Sequence, residues 1–120
     1  MNKNQYEIEF YKDNRSIEPA KNFLLSIPKK AQAKFFFLID LLKENGPELK
    51  RPYADILKNG IYELRVEFQK SQYRILFFFI IGKYIYLSHG FIKKQWKVPN
   101  KEIVKAKNHK EILEKRRKEK

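Results

Sequence analysis

Residues 61–91 read as three strands in succession, and this stretch limits the fold more than any other. Residues 61–68 alternate with period two, placing Tyr62, Leu64, Val66 and Phe68 on one face and Ile61, Glu63, Arg65 and Glu67 on the other. Residues 72–81 and 84–91 are rich in aromatic and β-branched side chains, which suit a pleated surface. Gly82-Lys83 between them fits a two-residue hairpin turn. The result expected is an antiparallel meander.

The flanking segments complete an α+β domain. Residues 6–11 alternate Tyr6, Ile8 and Phe10 with Glu7 and Glu9, as a half-buried strand does. Ser16 is placed to cap a helix with Pro19 in its first turn and Ala20, Phe23, Leu24 and Ile27 as its apolar stripe. A second helix carries Ala31, Phe35, Leu38, Ile39 and Leu42 and stops at Gly46-Pro47, so the two form a helical hairpin. Phe36 and Phe37 extend the Phe35 run beyond what one buried face can hold, leaving room for an interaction surface. Residues 48–59 are irregular, with a basic pair at Lys50 and Arg51 before Pro52, and read as a loop or short helical turn. After Pro99, Asn100 can cap a final helix, on which His109 is expected to be exposed. The expected fold is one domain over residues 1–120: an antiparallel sheet of about four strands, packed on an N-terminal helical hairpin, with a C-terminal helix.

No apolar run approaches the roughly 18 residues of a membrane span, no secretory h-region opens the chain, and cysteine is absent. A cytoplasmic setting is therefore expected. The formal net charge is +13, and residues 91–120 carry 12 basic and four acidic side chains against 15 and 10 in the first 90. Such a field suits a polyanion, because neutralising phosphates releases condensed counterions. The tail at about 114–120, with Arg116, Arg117, Lys118 and Lys120, reads either as part of that surface or as a frayed, solvated end.

The turns set which residues meet. A Lys70-Ser71 turn would place Gln69 against Gln72, Arg65 against Leu76 and Glu67 against Arg74. With Ile81 facing Tyr84, Leu76 would face His89 and Arg74 would face Phe91, so that Arg65, Leu76 and His89 share a row. Arg74 and Lys93 would project from the same face. The helical hairpin should cover the other face, and the C-terminal helix should cover Phe78, Ile80, Ile85 and Leu87, leaving a cleft at the cationic end.

The chain contains no phosphate-binding glycine loop, dinucleotide glycine pattern, His-Glu-x-x-His, cysteine-rich metal spacing or nucleophile elbow. Neither a cofactor nor a bound metal is expected. What remains is Arg65, Arg74, His89, Lys93 and Lys94 beside Tyr73, Phe91, Trp96 and Lys97, a set suited to a phosphodiester. Arginines hold phosphate bidentately, histidine moves a proton near neutral pH, and aromatic rings stack on unpaired bases. The structural alternative pairs Arg65 and Arg74 with Glu67 and Glu63, makes His89 a strand-end histidine and leaves the aromatics as packing.

Three strings carry a resemblance: Gly60-Ile61-Tyr62-Glu63-Leu64-Arg65, Tyr73-Arg74-Ile75-Leu76-Phe77 and Leu87-Ser88-His89-Gly90-Phe91-Ile92-Lys93-Lys94, followed by Pro99 and by Glu102-Ile103 before Ala106. In order and spacing the chain resembles the RelE/HigB superfamily of type II toxins, most closely its phage-derived HigB-like branch. The resemblance implies a RelE-like fold and a ribosome-dependent messenger RNA endonuclease that works without a metal. It also implies that Arg65 and Arg74 contact the scissile phosphate and that His89, Lys93 and Lys94 share the site; Tyr73, Phe91, Trp96 and Lys97 are RNA-facing candidates on their aromatic and basic character alone. The partners implied are a helix-turn-helix HigA-like antitoxin, the ribosome and messenger RNA. Where the RelE branch carries a basic residue, this chain has Glu63, and Gln95-Trp96-Lys97 follows Lys94 in place of the usual continuation. The rival readings are a non-enzymatic RNA- or DNA-binding module and a toxin relative that only binds an antitoxin.

Overall fold

The structure, a computed structural model, describes residues 6–118. Strand β1 (Glu7–Phe10) leads into helices α1 (Pro19–Ser26) and α2 (Lys29–Asn45) and a 3-10 turn (Gly46–Glu48). Strands β2 (Ala54–Ile56), β3 (Tyr62–Phe68), β4 (Ser71–Ile80) and β5 (Tyr84–Lys93) follow, and helix α3 (Asn100–Lys118) ends the described chain. The sheet order is β1-β5-β4-β3-β2, with β1 parallel to β5 and the rest antiparallel. The sheet therefore has five strands and is mixed. The strand beyond expectation is β2, whose three residues are too few to show a period. Among the described residues no helix is long and apolar enough to cross a membrane.

Each face of the sheet buries its own core. The α1–α2 hairpin covers Leu64, Val66, Tyr73, Ile75, Phe77, Ile85 and Leu87 with Ala20, Leu24, Ala31, Phe35, Leu38 and Leu42. Helix α3 covers Ile61, Leu76, Phe78 and Ile80 with Ile103, Ala106 and Leu113. Gly46, at φ 56°, ends α2 as expected and donates its N–H to the Leu42 carbonyl. Ser16 does not cap α1. It sits at φ 66° in a turn organised by Asp13, whose Oδ1 accepts from the Arg15 and Ile17 amides at 2.8 and 2.9 Å, and the N-cap position belongs to Glu18.

Both hairpin turns differ from expectation. Phe68 pairs with Ser71, so the first turn is Gln69-Lys70, with both residues at positive φ as a primed turn requires. The register moves by two residues, which keeps every side chain on its expected face and changes its neighbours. Arg65 lies opposite Arg74, and Glu63 lies opposite Leu76. The second turn has three residues, because Ile80 pairs with Tyr84. A β-bulge then leaves Ser88 between the Phe77–Leu87 and Leu76–His89 pairs. The extra turn residue and the bulge cancel, so Leu76 does face His89 and Arg74 does face Phe91. Between turn and bulge the parity is reversed, which puts Ile85 and Leu87 in the hairpin core instead of under α3.

Gly90 shows how closely α1 approaches the sheet: a Cβ there would collide with the ring of Phe23. Gly90→Ala is expected to lower the urea midpoint, at unchanged m-value, by about 1–3 kcal/mol of stability.

Candidate nucleic-acid interface

The cationic end of the sheet is organised by a buried carboxylate. Glu63 on β3, only 3% exposed, accepts from Arg74 Nε on β4 at 3.0 Å and from Arg65 on its own strand at 3.3 Å. Arg74 is 2% exposed and also donates to the Tyr73 carbonyl at 3.0 Å and to Gln72 at 3.4 Å. Burial pushes its pKa down and Glu63 pulls it back up. Asp55 on β2 repeats the arrangement one strand out, 2.8 Å from Arg51 and 3.9 Å from Arg65. Arginines and carboxylates thus alternate across β2, β3 and β4, and the two acids hold Arg51 and Arg65 in place.

Beside this ladder lies a groove of about 810 Å³, between β2, β3 and the segment joining β5 to α3. Arg51, Lys58, Arg65, Lys93, Trp96 and Lys97 give it a cationic, partly aromatic wall. Trp96 is 92% exposed. The pKa of Lys93 is drawn down by partial burial and then by Arg74, with Arg65 and Arg51 adding to the effect and Glu63 opposing it. The sequence reading missed Arg51 and Lys58, because their segment lacks periodicity; the Lys50-Arg51 pair was the available signal.

His89 lies elsewhere. It shares a row with Glu63 and Leu76, not with Arg65, and α3 covers it to 2% exposure. Its Nε2 is 3.0 Å from Glu102 of α3, and its Nδ1 is 3.0 Å from Ser88 Oγ, which lies 2.8 Å from His109 Nδ1. The bulge makes this possible by turning Ser88 and His89 toward α3 together. His109 is half-buried, contrary to expectation, and its ring stacks on Tyr11 with centroids 3.9 Å apart. Burial is the first cause of lowered pKa values at both histidines, taking His109 to about 4.

The remaining expected site residues separate in the same way. Lys94, Trp96 and Lys97 are exposed, Lys93 is half-buried, and Phe91 packs beside His89 at the border of the α3 core. Tyr73 is not on this face: it is buried in the hairpin core near Phe23, because strand alternation sends it opposite to Arg74. The basic tail is helical through Lys118, not frayed. Arg116 donates to the Lys12 carbonyl at 2.9 Å and to Asn14 at 3.0 Å, and Arg117 lies over the Tyr84 ring, whereas Lys120 falls outside the described residues.

A family model described as Phage derived protein Gp49-like (DUF891) matches residues 22–111, a span that includes the whole groove and the histidine cluster. No curated protein matches the chain.

Two outcomes follow from these charges. Glu63→Gln leaves Arg74 buried without its counter-ion and is expected to cost about 3–5 kcal/mol in urea unfolding. The histidines have folded-state pKa values below their ordinary 6.5, so their contribution is fully present above that value. It is lost as pH falls from 6.5 toward about 4, where the unfolded chain binds more protons than the folded one. The urea midpoint should decline across that window, and less steeply in His109→Gln.

Proposed function

Because the chain belongs to the family of phage-derived Gp49-like proteins, a family associated with the toxins of toxin–antitoxin pairs, we propose that it is such a toxin. In this reading it is a RelE/HigB-type endoribonuclease that cuts messenger RNA on the ribosome without a bound metal and is restrained by a helix-turn-helix antitoxin. The observation that carries the reading is the setting of Arg65. Its side chain is 25% exposed, braced by Glu63 and Asp55, and lines a groove shared with Arg51, Lys93 and Trp96. A guanidinium fixed from behind keeps its outer N–H donors for a phosphate at little further entropic cost.

The chemistry proposed is attack of a ribose 2′-oxygen on the adjacent phosphorus. The O2′–P bond forms as the P–O5′ bond breaks. The hydroxyl proton passes to a base, an acid returns one to the departing 5′-oxygen, and the products are a 2′,3′-cyclic phosphate and a 5′-hydroxyl. Lys93 is the proton-transfer group this groove offers, since its lowered pKa brings the neutral amine closer to physiological pH. Arg65 stabilises the added negative charge, a contribution of about 3–4 kcal/mol for a well-placed donor, whereas Lys94 is exposed outside the groove lining and takes no such part. Arg74 acts through Glu63 as a positioning residue, and His89 takes no part while α3 covers it. That burial of His89 and Arg74 favours the second reading, a non-enzymatic RNA-binding module, and product analysis separates the two.

Arg65→Ala should abolish growth arrest and slow cleavage of ribosome-bound message by about 100- to 1,000-fold, while remaining folded by circular dichroism. Lys93→Met should flatten the pH–rate profile more than it weakens RNA binding. Parent protein that leaves a 5′-phosphate, or that binds RNA at the groove without cutting it on the ribosome, overturns the catalytic reading.

A further inference from the structure

Arg65 lines a second cavity, of about 570 Å³, between α2 and the outer edge of β3. It exists because β2 is short. β2 pairs with β3 only over residues Tyr62–Leu64, and the Arg65 N–H adds one bond to the Tyr53 carbonyl at 2.9 Å before the chain turns away at Pro52. Beyond that point β3 presents its backbone to the cavity. The Glu67 carbonyl accepts from Lys34 Nζ of α2 at 3.2 Å, and antiparallel alternation places the Glu67 N–H on the same edge.

The walls have a definite chemistry. Phe37 and Tyr53 meet edge to face with centroids 6.4 Å apart, yet remain 56% and 41% exposed, so neither ring is spent on the core. Gln72 lies in the wall with its Oε1 occupied by Arg74, which leaves its amide nitrogen as a donor. Two accessible rings, a strand edge and a side-chain amide form a surface for a flat heterocycle with hydrogen-bonding edges. The Glu67 carboxylate in the wall disfavours an acidic peptide.

We infer that this cavity is a nucleobase-binding site. The inference rests on the RNA reading and extends it: with a phosphate on Arg65, one neighbouring base stacks against Phe37 or Tyr53, while the strand continues along the groove beside Trp96. The Glu67 peptide edge and Gln72 then read the base, making them specificity-determining groups.

The test uses the full chain and 2′-deoxy dinucleotides, which cannot be cut, together with the same compounds carrying an abasic sugar on one side. Saturation transfer from the ligand should reach the Phe37 and Tyr53 rings of the parent, a readout that requires no variant. Phe37→Leu with Tyr53→Leu, which keeps apolar volume and removes stacking, should weaken the intact dinucleotide roughly 5- to 150-fold and leave the abasic compound unchanged. The inference is overturned if transfer reaches only Trp96, if the double variant binds both compounds as the parent does, or if the double variant instead loses affinity for a synthetic acidic, leucine-bearing peptide. Cleavage of ribosome-bound message, assayed separately, tests the enzymatic reading: cleavage without base contact sinks the pocket alone, and base contact without cleavage sinks the catalysis alone.

Discussion

A single buried carboxylate sets the character of the sheet's cationic end. Glu63 is nearly sealed from solvent and bonded to two guanidiniums, one buried and one at the groove. Taking two charges fully and a third partly out of water is expensive, and attraction offsets that cost only when the geometry satisfies each group. The register supplies it, since Arg65 and Arg74 lie directly opposite each other and Glu63 is one same-face position along from Arg65. Side chains that would repel as a facing pair are thereby joined through a shared acid. The arrangement also divides their roles: Arg74 is enclosed, whereas Arg65 keeps an open side.

The order of the elements other than β2, the existence of a core on each face and the face carried by β3 were legible in the sequence because each rests on a period that survives small errors, which a three-residue strand lacks. Register was not, because it depends on turn length. Gln69 and Lys70 adopt positive φ without glycine or asparagine to announce it, and the second turn includes Ile81 at φ 54°, a position a β-branched residue rarely takes. The compensating bulge at Ser88 is silent in a run where nearly every residue is apolar or small. The extra turn residue reverses Ile85 and Leu87, the bulge restores the expected parity at His89, and His89 is buried because α3 lies over it. Arg65 and Lys93 could be placed at the groove because charge on one strand face can be read directly, whereas Trp96 and Lys97, in the segment after β5, were named for their residue type alone. Tyr73 was assigned to RNA as the aromatic neighbour of Arg74 in sequence, against its strand parity, and the parity prevailed.

Helix α3 has two duties that pull on the same residues. Its apolar stripe closes the second core, and Glu102 and His109 reach through to the bulge. Its basic side chains also clasp the opposite end of the molecule, where Arg116 reaches the segment after β1. The electropositive end is therefore partly internal wiring, while in the groove Asp55 and Glu63 hold Arg51 and Arg65 in place.

The parallel pairing of β1 with β5 joins Glu7 to Tyr84. A growing chain leaves the ribosome N-terminus first, so β1 must wait for most of the polypeptide before its partner strand exists. The meander, built from neighbouring strands, has no such delay, and contacts closing long loops form late for entropic reasons. Final closure thus falls to the union of the first strand with the fifth and of α3 with β4 and β5. A protein assembled in this sequence presents its completed groove only after the segment that joins β5 to α3 has been made.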